Sequence, residues 1–305
     1  MSDALFLLAG VICAGLGGEL FVRGTVGLAH WWRIPPGIIG ATVAAFATSS
    51  PELSVSVSAA LAERPHIALG DALGSNVVNV ALILALVLVM GGLQGSPDSI
   101  KRDFRIALLV PVLTALLLFD HTLSRTDGVL MLFAFVVWLV TTAIEVRKQR
   151  SVADEVLGAH RHGVILLSCG VGLALLVAAG LLIVRGATGI ALSLGLDTFV
   201  IGATVVAIGT STPELATVVI AKLRGHNEIS LGTILGSNIF NGLFIVAVAA
   251  VIQPIHVRLP DLVLTLTAGL LALLLAYPPA NGFIDRRRGV LLLTLYIFYV
   301  AGLLQ

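Results

Sequence analysis

The sequence predicts an all-α polytopic membrane protein with ten transmembrane helices, arranged as two five-helix repeats of inverted topology. The composition, the spacing of apolar runs and an internal repeat lead to this fold class. Of the 305 residues, 58% are hydrophobic and only 11% are charged, and the mean hydropathy is +1.05. Soluble domains carry about 25% charged residues, so the composition excludes a soluble enzyme and a nucleic-acid-binding protein.

Apolar runs bounded by charges, Pro or Gly place the helices along the chain. A spanning helix needs about 20 predominantly apolar residues, which leaves room for ten helices and no soluble domain. One long polar connection, 147–162, predicts a linker between a first repeat at 1–146 and a second repeat at 163–305. The predicted helices lie near 4–22, 37–61, 67–92, 104–119, 128–146, 163–184, 198–221, 229–253, 260–277 and 289–304.

The basic residues are distributed unevenly between the two faces that ten helices would create. Fourteen of the 18 Lys and Arg residues fall in the odd-numbered loops, and four fall on the opposite face. Cytoplasmic loops of membrane proteins carry an excess of Lys and Arg. We therefore expect the odd-numbered loops in the cytoplasm and both termini outside the cell.

Two segments recur at a constant offset of 162 residues. GATVAAFATSSPELS at 40–54 and GATVVAIGTSTPELA at 202–216 are identical at 10 of 15 positions, and IALGDALGSNVVN at 67–79 and ISLGTILGSNIFN at 229–241 at 8 of 13. Five helices per copy is an odd number, so the second copy enters the membrane from the opposite face. Inverted repeats with a site at the midplane are typical of secondary transporters, although the symmetry alone also permits a channel.

Glu52 and Glu214 lie near the middle of the second and seventh predicted helices. A carboxylate at that depth costs roughly 2.5–3.5 kcal/mol on insertion scales unless it is paired, protonated or cation-bound. No Lys or Arg lies at a matching depth, so the sequence predicts a bound cation or a proton as the compensating charge. The alternative is a protonated Glu in an interhelical hydrogen bond.

Pro51 and Pro213 directly precede these two residues. A proline cannot donate to the carbonyl four residues earlier, here Ala47 and Gly209, so each helix should break or kink there. In lipid, such a break is tolerated only where it is buried in protein or lines a cavity, and carbonyls beside a carboxylate are ligands for hard cations. A packing kink without ligands is the alternative.

The third and eighth predicted helices carry a repeated Gly-Ser-Asn motif followed by a second Asn. Ser75 and Asn79 are four residues apart, as are Ser237 and Asn241, so each pair shares a helix face. The motif can also serve helix packing alone, because small residues four apart and interhelical Ser or Asn bonds are common in membranes. Both roles are compatible.

With these paired motifs, the sequence resembles the calcium/cation antiporter family, most closely its prokaryotic sodium/calcium exchanger branch, over nearly the whole chain. The resemblance implies a ten-helix inverted-repeat fold with Glu52 and Glu214 as shared carboxylates for Ca²⁺ and Na⁺. It implies backbone oxygens of Thr48 and Thr210 as Ca²⁺ ligands. The remaining implied residues are Na⁺ ligands or complete the middle of the site: Ser49, Ser211, Ser75, Ser237, the carbonyls of Ala45 and Ala207, Asn79 and Asn241.

The chain departs from the family pattern at two places. Many exchangers have at least one Asp where this chain has Asn79 and Asn241, so the predicted site carries a charge of about −2, which one Ca²⁺ would neutralise and three Na⁺ would exceed. Ala47 replaces the glycine found at position 209. The short linker leaves no room for a regulatory calcium-binding domain, which favours a prokaryotic cell membrane.

Two further acidic residues are assigned to other roles. Glu19 is predicted to pair with Arg23 one helical turn later. Asp71 has no acidic counterpart in the second repeat, where Thr233 stands, and a capping or solvated role is favoured over a role at the entrance of the site.

We expect a secondary active antiporter that uses the inward Na⁺ gradient to export Ca²⁺ by alternating access. A Ca²⁺/H⁺ or other cation/H⁺ exchanger at the same site is the alternative, and a cation channel is a rival of a different class. No catalytic motif such as H-E-x-x-H occurs, so the chain is not predicted to be an enzyme. Partners should be Ca²⁺, Na⁺, protons in the alternative, and the lipid bilayer, with no cofactor and no obligate protein partner.

Overall fold

The structure is a computed structural model that describes residues 2–95, 100–150, 162–193, 207–257 and 259–303. The described residues fold almost entirely into helices, which we group into ten elements, α1 to α10. In chain order they are α1 (Ser2–Trp32), α2 (Pro36–Thr48 and Ser50–Leu61), α3 (Pro65–Val89), α4 (100–117), α5 (Arg125–Arg150), α6 (His162–Ser193), α7 (Ala207–Thr210 and Thr212–Leu223), α8 (Asn227–Ile252), α9 (Leu259–Ala276) and α10 (Arg286–Leu303).

The predicted all-α, ten-helix fold is confirmed. By length and apolar composition, α1, α3, α5, α6 and α8 can each cross a membrane alone, and the two bent pieces of α2 make a sixth candidate. The predicted helix at 198–221 begins outside the described residues. Helix α5 continues to Arg150, into the segment predicted as the linker, and residues 151–161 also lie outside the described part.

Two predicted helix ends are wrong, because α1 and α6 continue well past 22 and 184. The next residues are Arg23 and Arg185, which are equivalent in the two repeats. Arg23 donates to Glu19 (2.6 Å), as predicted, and the Arg185 guanidinium lies 4.3 Å from the centre of the Phe6 ring. A charged residue with such a neighbour need not end a helix.

Helices α3 and α8 form the centre of the molecule. In their most apolar stretches 78% and 83% of residues are buried, whereas the corresponding values for α1, α5 and α6 are between 22% and 28%. Helix α8 approaches the first piece of α2 so closely that a Cβ at Gly232 or Gly236 would collide with the carbonyl oxygens of Gly37 or Ala41. The packing role predicted for small residues four apart is confirmed for Gly232 and Gly236, whereas the equivalent Gly70 and Gly74 of α3 make no such close approach.

Several helices contain a stretch of wider, π-helical turns. Such stretches occupy Gly40–Ala44 in α2, Ile100–Phe104 in α4, Val78–Leu84 in α3 and Phe240–Ile245 in α8. The stretches in α3 and α8 begin 162 residues apart, so the repeat extends to this irregularity. Asn79 and Asn241 are the second residues of these stretches, where wider turns disturb the regular backbone ladder.

Two short ribbons join loops on the two faces of the bundle. The strands are β1 (Leu93–Gln94), β2 (Thr122–Leu123), β3 (Ile255–His256) and β4 (Phe283–Ile284); β1 pairs with β4 and β2 with β3, both antiparallel. The first ribbon joins the loops after α3 and α9, and the second joins those after α4 and α8. Odd loops therefore meet odd loops and even loops meet even loops, as expected when successive helices cross the same layer in alternating directions.

Candidate functional site

The breaks predicted in α2 and α7 are both present. Helix α2 bends by 46° between its two pieces, with Ser49 at the junction. Ser49 and Ser211 have nearly identical backbone angles, with φ of −86° and −82° and ψ of 8° and 11°. The repeat therefore has the same local geometry in both copies, and Pro51 and Pro213 explain it, since each occupies the first turn of the following piece.

Two backbone carbonyls at the first break already have hydrogen-bond donors. The Ser50 hydroxyl donates to the Ala47 carbonyl (2.7 Å). The Ala45 carbonyl accepts both the Ser49 amide (3.0 Å) and the Thr48 hydroxyl (3.3 Å). A cation ligated by Ala45 would therefore share that oxygen with two donors.

Glu52 and Glu214 are each 1% exposed, and each is the third residue of the helical piece that follows its break. The first turn of a helix favours negative charge, because its amide groups point toward it. One oxygen of each carboxyl group, Oε2, is buried without a hydrogen-bond partner. Within the described residues, neither carboxyl group forms a salt bridge. A buried charge without a partner is costly, so a bound cation or a proton would stabilise these two carboxyl groups.

A hydrogen bond between the repeats joins Glu214 to the helix break of the first repeat. The Ser49 hydroxyl donates to Oε1 of Glu214 (3.0 Å), which links the break of the first repeat to the carboxylate of the second. Residues 165 positions apart in the sequence therefore lie together where the two repeats meet.

The remaining predicted site residues are distributed as follows. Five of them are buried: Asn79, Asn241, Ser75, Ser237 and Ser211. The side-chain oxygen has no hydrogen-bond partner in four of these residues: Ser211, Ser237, Asn79 and Asn241. Thr48, Ser49 and Ala45 are buried as well, and Thr210 is half-buried. Ala207 begins the first described piece of α7, so its carbonyl belongs to the turn before the break.

The structure corrects part of the prediction for Asp71. Asp71 is the seventh residue of α3, so the predicted capping role is wrong. The residue is half-buried, and its Oδ2 atom is buried without a hydrogen-bond partner, so the carboxyl group is only partly solvated. The described residues include no group of three or more His, Cys, Asp or Glu side chains placed to hold a metal ion.

The sequence analysis did not predict a contact between Asn76 and Asn238, the asparagines of the two Gly-Ser-Asn motifs. In the structure, Nδ2 of Asn76 donates to the backbone carbonyl of Asn238 (3.1 Å), and Nδ2 of Asn238 donates to that of Asn76 (3.2 Å). Their exact equivalence in the repeat was the available signal, because equivalent residues at the contact between two halves face each other across the pseudo-twofold axis.

Comparison with known proteins agrees with this architecture. The family model for sodium/calcium exchanger proteins matches residues 2–143 and 164–305. The chain is 35% identical to the inner membrane protein YrbG of Escherichia coli over 81% of this chain and 79% of the relative. It is 28% identical to the sodium/calcium exchanger MaX1 of Methanosarcina acetivorans over 98% and 97%.

Solved structures of the sodium-calcium exchanger NCX_Mj have the same fold. The structure from a crystal soaked with Na⁺ and Sr²⁺ superposes with a TM-score of 0.86 at 30% identity, covering 99% of both chains. The likeness therefore extends over nearly the whole chain.

Proposed function

We propose that this protein exports Ca²⁺ in exchange for Na⁺ at a site centred on Glu52 and Glu214. The premise is that the chain belongs to the sodium/calcium exchanger family and is a multi-pass cation antiporter. The observation that carries this proposal is the pair of carboxyl groups, each 1% exposed and each with one oxygen lacking a partner. No cofactor is needed, because the transported cations supply the missing positive charge.

Two carboxylates suit a cation that takes many oxygen ligands. Ca²⁺ takes 6–8 oxygens, and two bidentate glutamates with two backbone carbonyls of the broken helices would supply six. We assign Thr48 and Thr210 to these carbonyls. We assign Na⁺ to positions that share a glutamate and add single neutral oxygens, from Ser49, Ser211, Ser75, Ser237, Ala45, Ala207, Asn79 and Asn241.

Shared carboxylates make the two ions compete, and competition is the requirement for exchange. One Ca²⁺ neutralises a site of charge −2, whereas three Na⁺ leave it at +1. If the site is stable with either Ca²⁺ or Na⁺ bound but unstable when empty, the protein would change the side to which the site is open only when ions are bound. This supports coupled exchange in preference to a leak or a channel.

We also propose the arrangement of the chain in the membrane. The first repeat, 1–146, and the second, 163–305, would be the two inverted halves, joined by a cytoplasmic linker at 147–162. The excess of Lys and Arg in the odd loops supports a cell-membrane protein with both termini outside. Protease accessibility of a tag at either terminus, in intact cells and in inverted vesicles, checks this orientation.

The experiment for the transport function is ⁴⁵Ca²⁺ uptake into proteoliposomes loaded with Na⁺ and diluted into Na⁺-free buffer. A matched set is loaded with choline, and a third set carries only a pH gradient. We expect uptake that requires the Na⁺ gradient. Uptake that follows only the pH gradient would overturn Na⁺ coupling in favour of Ca²⁺/H⁺ exchange, and uptake that persists without any counter-ion would indicate a channel.

A further inference from the structure

Asn238 holds one of the two candidate ligand amides, Asn79, whereas the equivalent hydrogen bond between Asn76 and Asn241 is not formed. The cross-axis pair Asn76 and Asn238 has been described above, with each Nδ2 donating to the other residue's backbone carbonyl. A backbone carbonyl can only accept, so both amide groups have a determined orientation. Each Oδ1 then lies on the opposite side of its amide group as an acceptor.

The acceptor of Asn238 is occupied. Nδ2 of Asn79 donates to Oδ1 of Asn238 (3.1 Å). Because the Asn79 amide nitrogen is held in this way, its Oδ1 must point elsewhere, and that oxygen is buried without a partner. An amide oxygen presented alone in a buried polar site is suited to a cation. Asn238 therefore orients Asn79 as an oxygen ligand.

The equivalent bond in the other half is missing. Repeat symmetry pairs Asn241 with Asn76 as Asn79 is paired with Asn238. Yet Oδ1 of Asn76 and both amide atoms of Asn241 are buried without hydrogen-bond partners. Both atoms needed for the second bond are thus present and unused.

The backbone next to Asn241 runs close to the Asn76 amide group. A Cβ built on Gly242, the residue after Asn241, would lie 3.4 Å from Nδ2 of Asn76. Asn241 lies in the π-helical stretch of α8. This stretch contacts Ser50–Leu61 of α2, which carries Glu52, and Pro65–Val77 of α3, which carries Asn76. The second bond would form by rotation of the Asn241 side chain or by a shift of α8 against α3.

We propose that the two amide bonds alternate during transport: Asn79 is held by Asn238 in the arrangement seen here, and Asn241 is held by Asn76 in the arrangement open to the opposite side. In an inverted-repeat transporter the two halves exchange roles between the two states. The exchange would keep one amide oxygen preset as a cation ligand on whichever side is accessible. This inference rests on the proposed transport function.

Asn238→Ala and Asn76→Ala test the alternation. A neutral hydrogen bond contributes about 0.5–1.5 kcal/mol, which corresponds to about a 2- to 10-fold change in an equilibrium. Asn238→Ala should weaken the arrangement seen here and Asn76→Ala the opposite one. The ratio of the half-saturating Ca²⁺ concentrations on the two sides of oriented vesicles should therefore shift about 2- to 10-fold in opposite directions.

Both substitutions also remove one of the reciprocal bonds between α3 and α8, so a purely structural role predicts equal losses on both sides. Thr114→Val is the control for removal of a buried hydroxyl elsewhere, since Thr114 bonds only within α4, to the Val110 carbonyl (2.9 Å). It should leave the ratio unchanged. Equal shifts of the same sign in the two Asn variants would overturn the proposal.

Hydrogen–deuterium exchange separates this proposal from the transport function, because it needs no transported ion. We expect the two variants to change exchange at the odd-loop and even-loop ends of α2, α3, α7 and α8 in opposite directions. Opposite changes in a protein that shows no Na⁺-dependent Ca²⁺ uptake would keep the alternation and reject the transport function. Identical changes in a protein that does exchange Na⁺ for Ca²⁺ would reject the alternation alone.

Discussion

The two halves of the site have the same sequence motifs but different hydrogen bonds. In the first repeat, Ser49 donates to Glu214 and Asn79 donates to Asn238. In the second repeat, the hydroxyl of Ser211 and both amide atoms of Asn241 have no partner. The backbone at the two breaks is almost the same, so the difference does not come from local sequence. It comes from how the two halves are packed against each other.

The largest effect on transport should come from replacing the two glutamates, since each half contributes one of them. Glu52→Gln and Glu214→Gln each remove one of the two buried charges that a cation would neutralise, so each should reduce Na⁺-dependent ⁴⁵Ca²⁺ uptake by at least about 100-fold. Glu63→Gln and Glu228→Gln are matched controls at exposed positions of either repeat and should transport normally. Uptake retained in both site variants would remove the glutamates from the mechanism.

The next comparison adds a carboxylate to each half. Asn241→Asp replaces an amide that has no hydrogen bonds, and a third charge beside a cation should raise the apparent affinity for Ca²⁺ by about 10-fold. Asn79→Asp instead places a carboxylate oxygen against Oδ1 of Asn238 and loses a 3.1 Å bond. We expect it to be expressed poorly or to transport slowly. The half-saturating Ca²⁺ concentration and the amount of folded protein distinguish the two.

If Asn79→Asp and Asn241→Asp behave alike, the difference between the halves has no energetic consequence. This result would also count against the proposed alternation of the amide bonds.

A smaller difference is expected between the junction serines. Ser49→Ala removes a hydrogen bond to a carboxylate, a class of bond that contributes about 1.5–3 kcal/mol, whereas Ser211→Ala removes a hydroxyl without a partner. In the absence of Ca²⁺ and Na⁺, the unfolding temperature in detergent should fall for Ser49→Ala and remain nearly unchanged for Ser211→Ala. An equal fall in both variants would show that the serines are equivalent in solution.

The smallest effect concerns the edge of the bundle. Glu19 accepts from Arg23 and also from Arg224 at the start of the loop after α7 (2.6 and 2.9 Å). Its equivalent in the second repeat, Leu181, is largely exposed. Exposed ion pairs contribute about 0–1 kcal/mol, so Glu19→Gln should lower the unfolding temperature only slightly, and added salt should remove the difference. A large, salt-independent fall would contradict a surface role.

Much of the site was accessible from sequence because it depends on covalent and local rules. Pro51 and Pro213 lack the amide hydrogen that a continuous helix would need at these positions, and a 162-residue repeat with an odd number of helices implies inversion. Charge placement also predicted which loops share a face, and the pairing of β1 with β4 and β2 with β3 agrees with it. The extension of α1 and α6 past Arg23 and Arg185 was missed, because a neighbour such as the Phe6 ring is a tertiary contact.

By itself, the sequence determined the fold class, the repeat, the two helix breaks and the pair of acidic residues, since each follows from composition, periodicity or the missing amide hydrogen of proline. Only the tertiary structure decided that Asp71 has a buried oxygen without a partner, that Asn76 and Asn238 face each other, and that one of two equivalent amides is held. The physical reason is that a repeated sequence specifies equal halves. Hydrogen bonds between those halves depend on their relative position, which no local pattern contains.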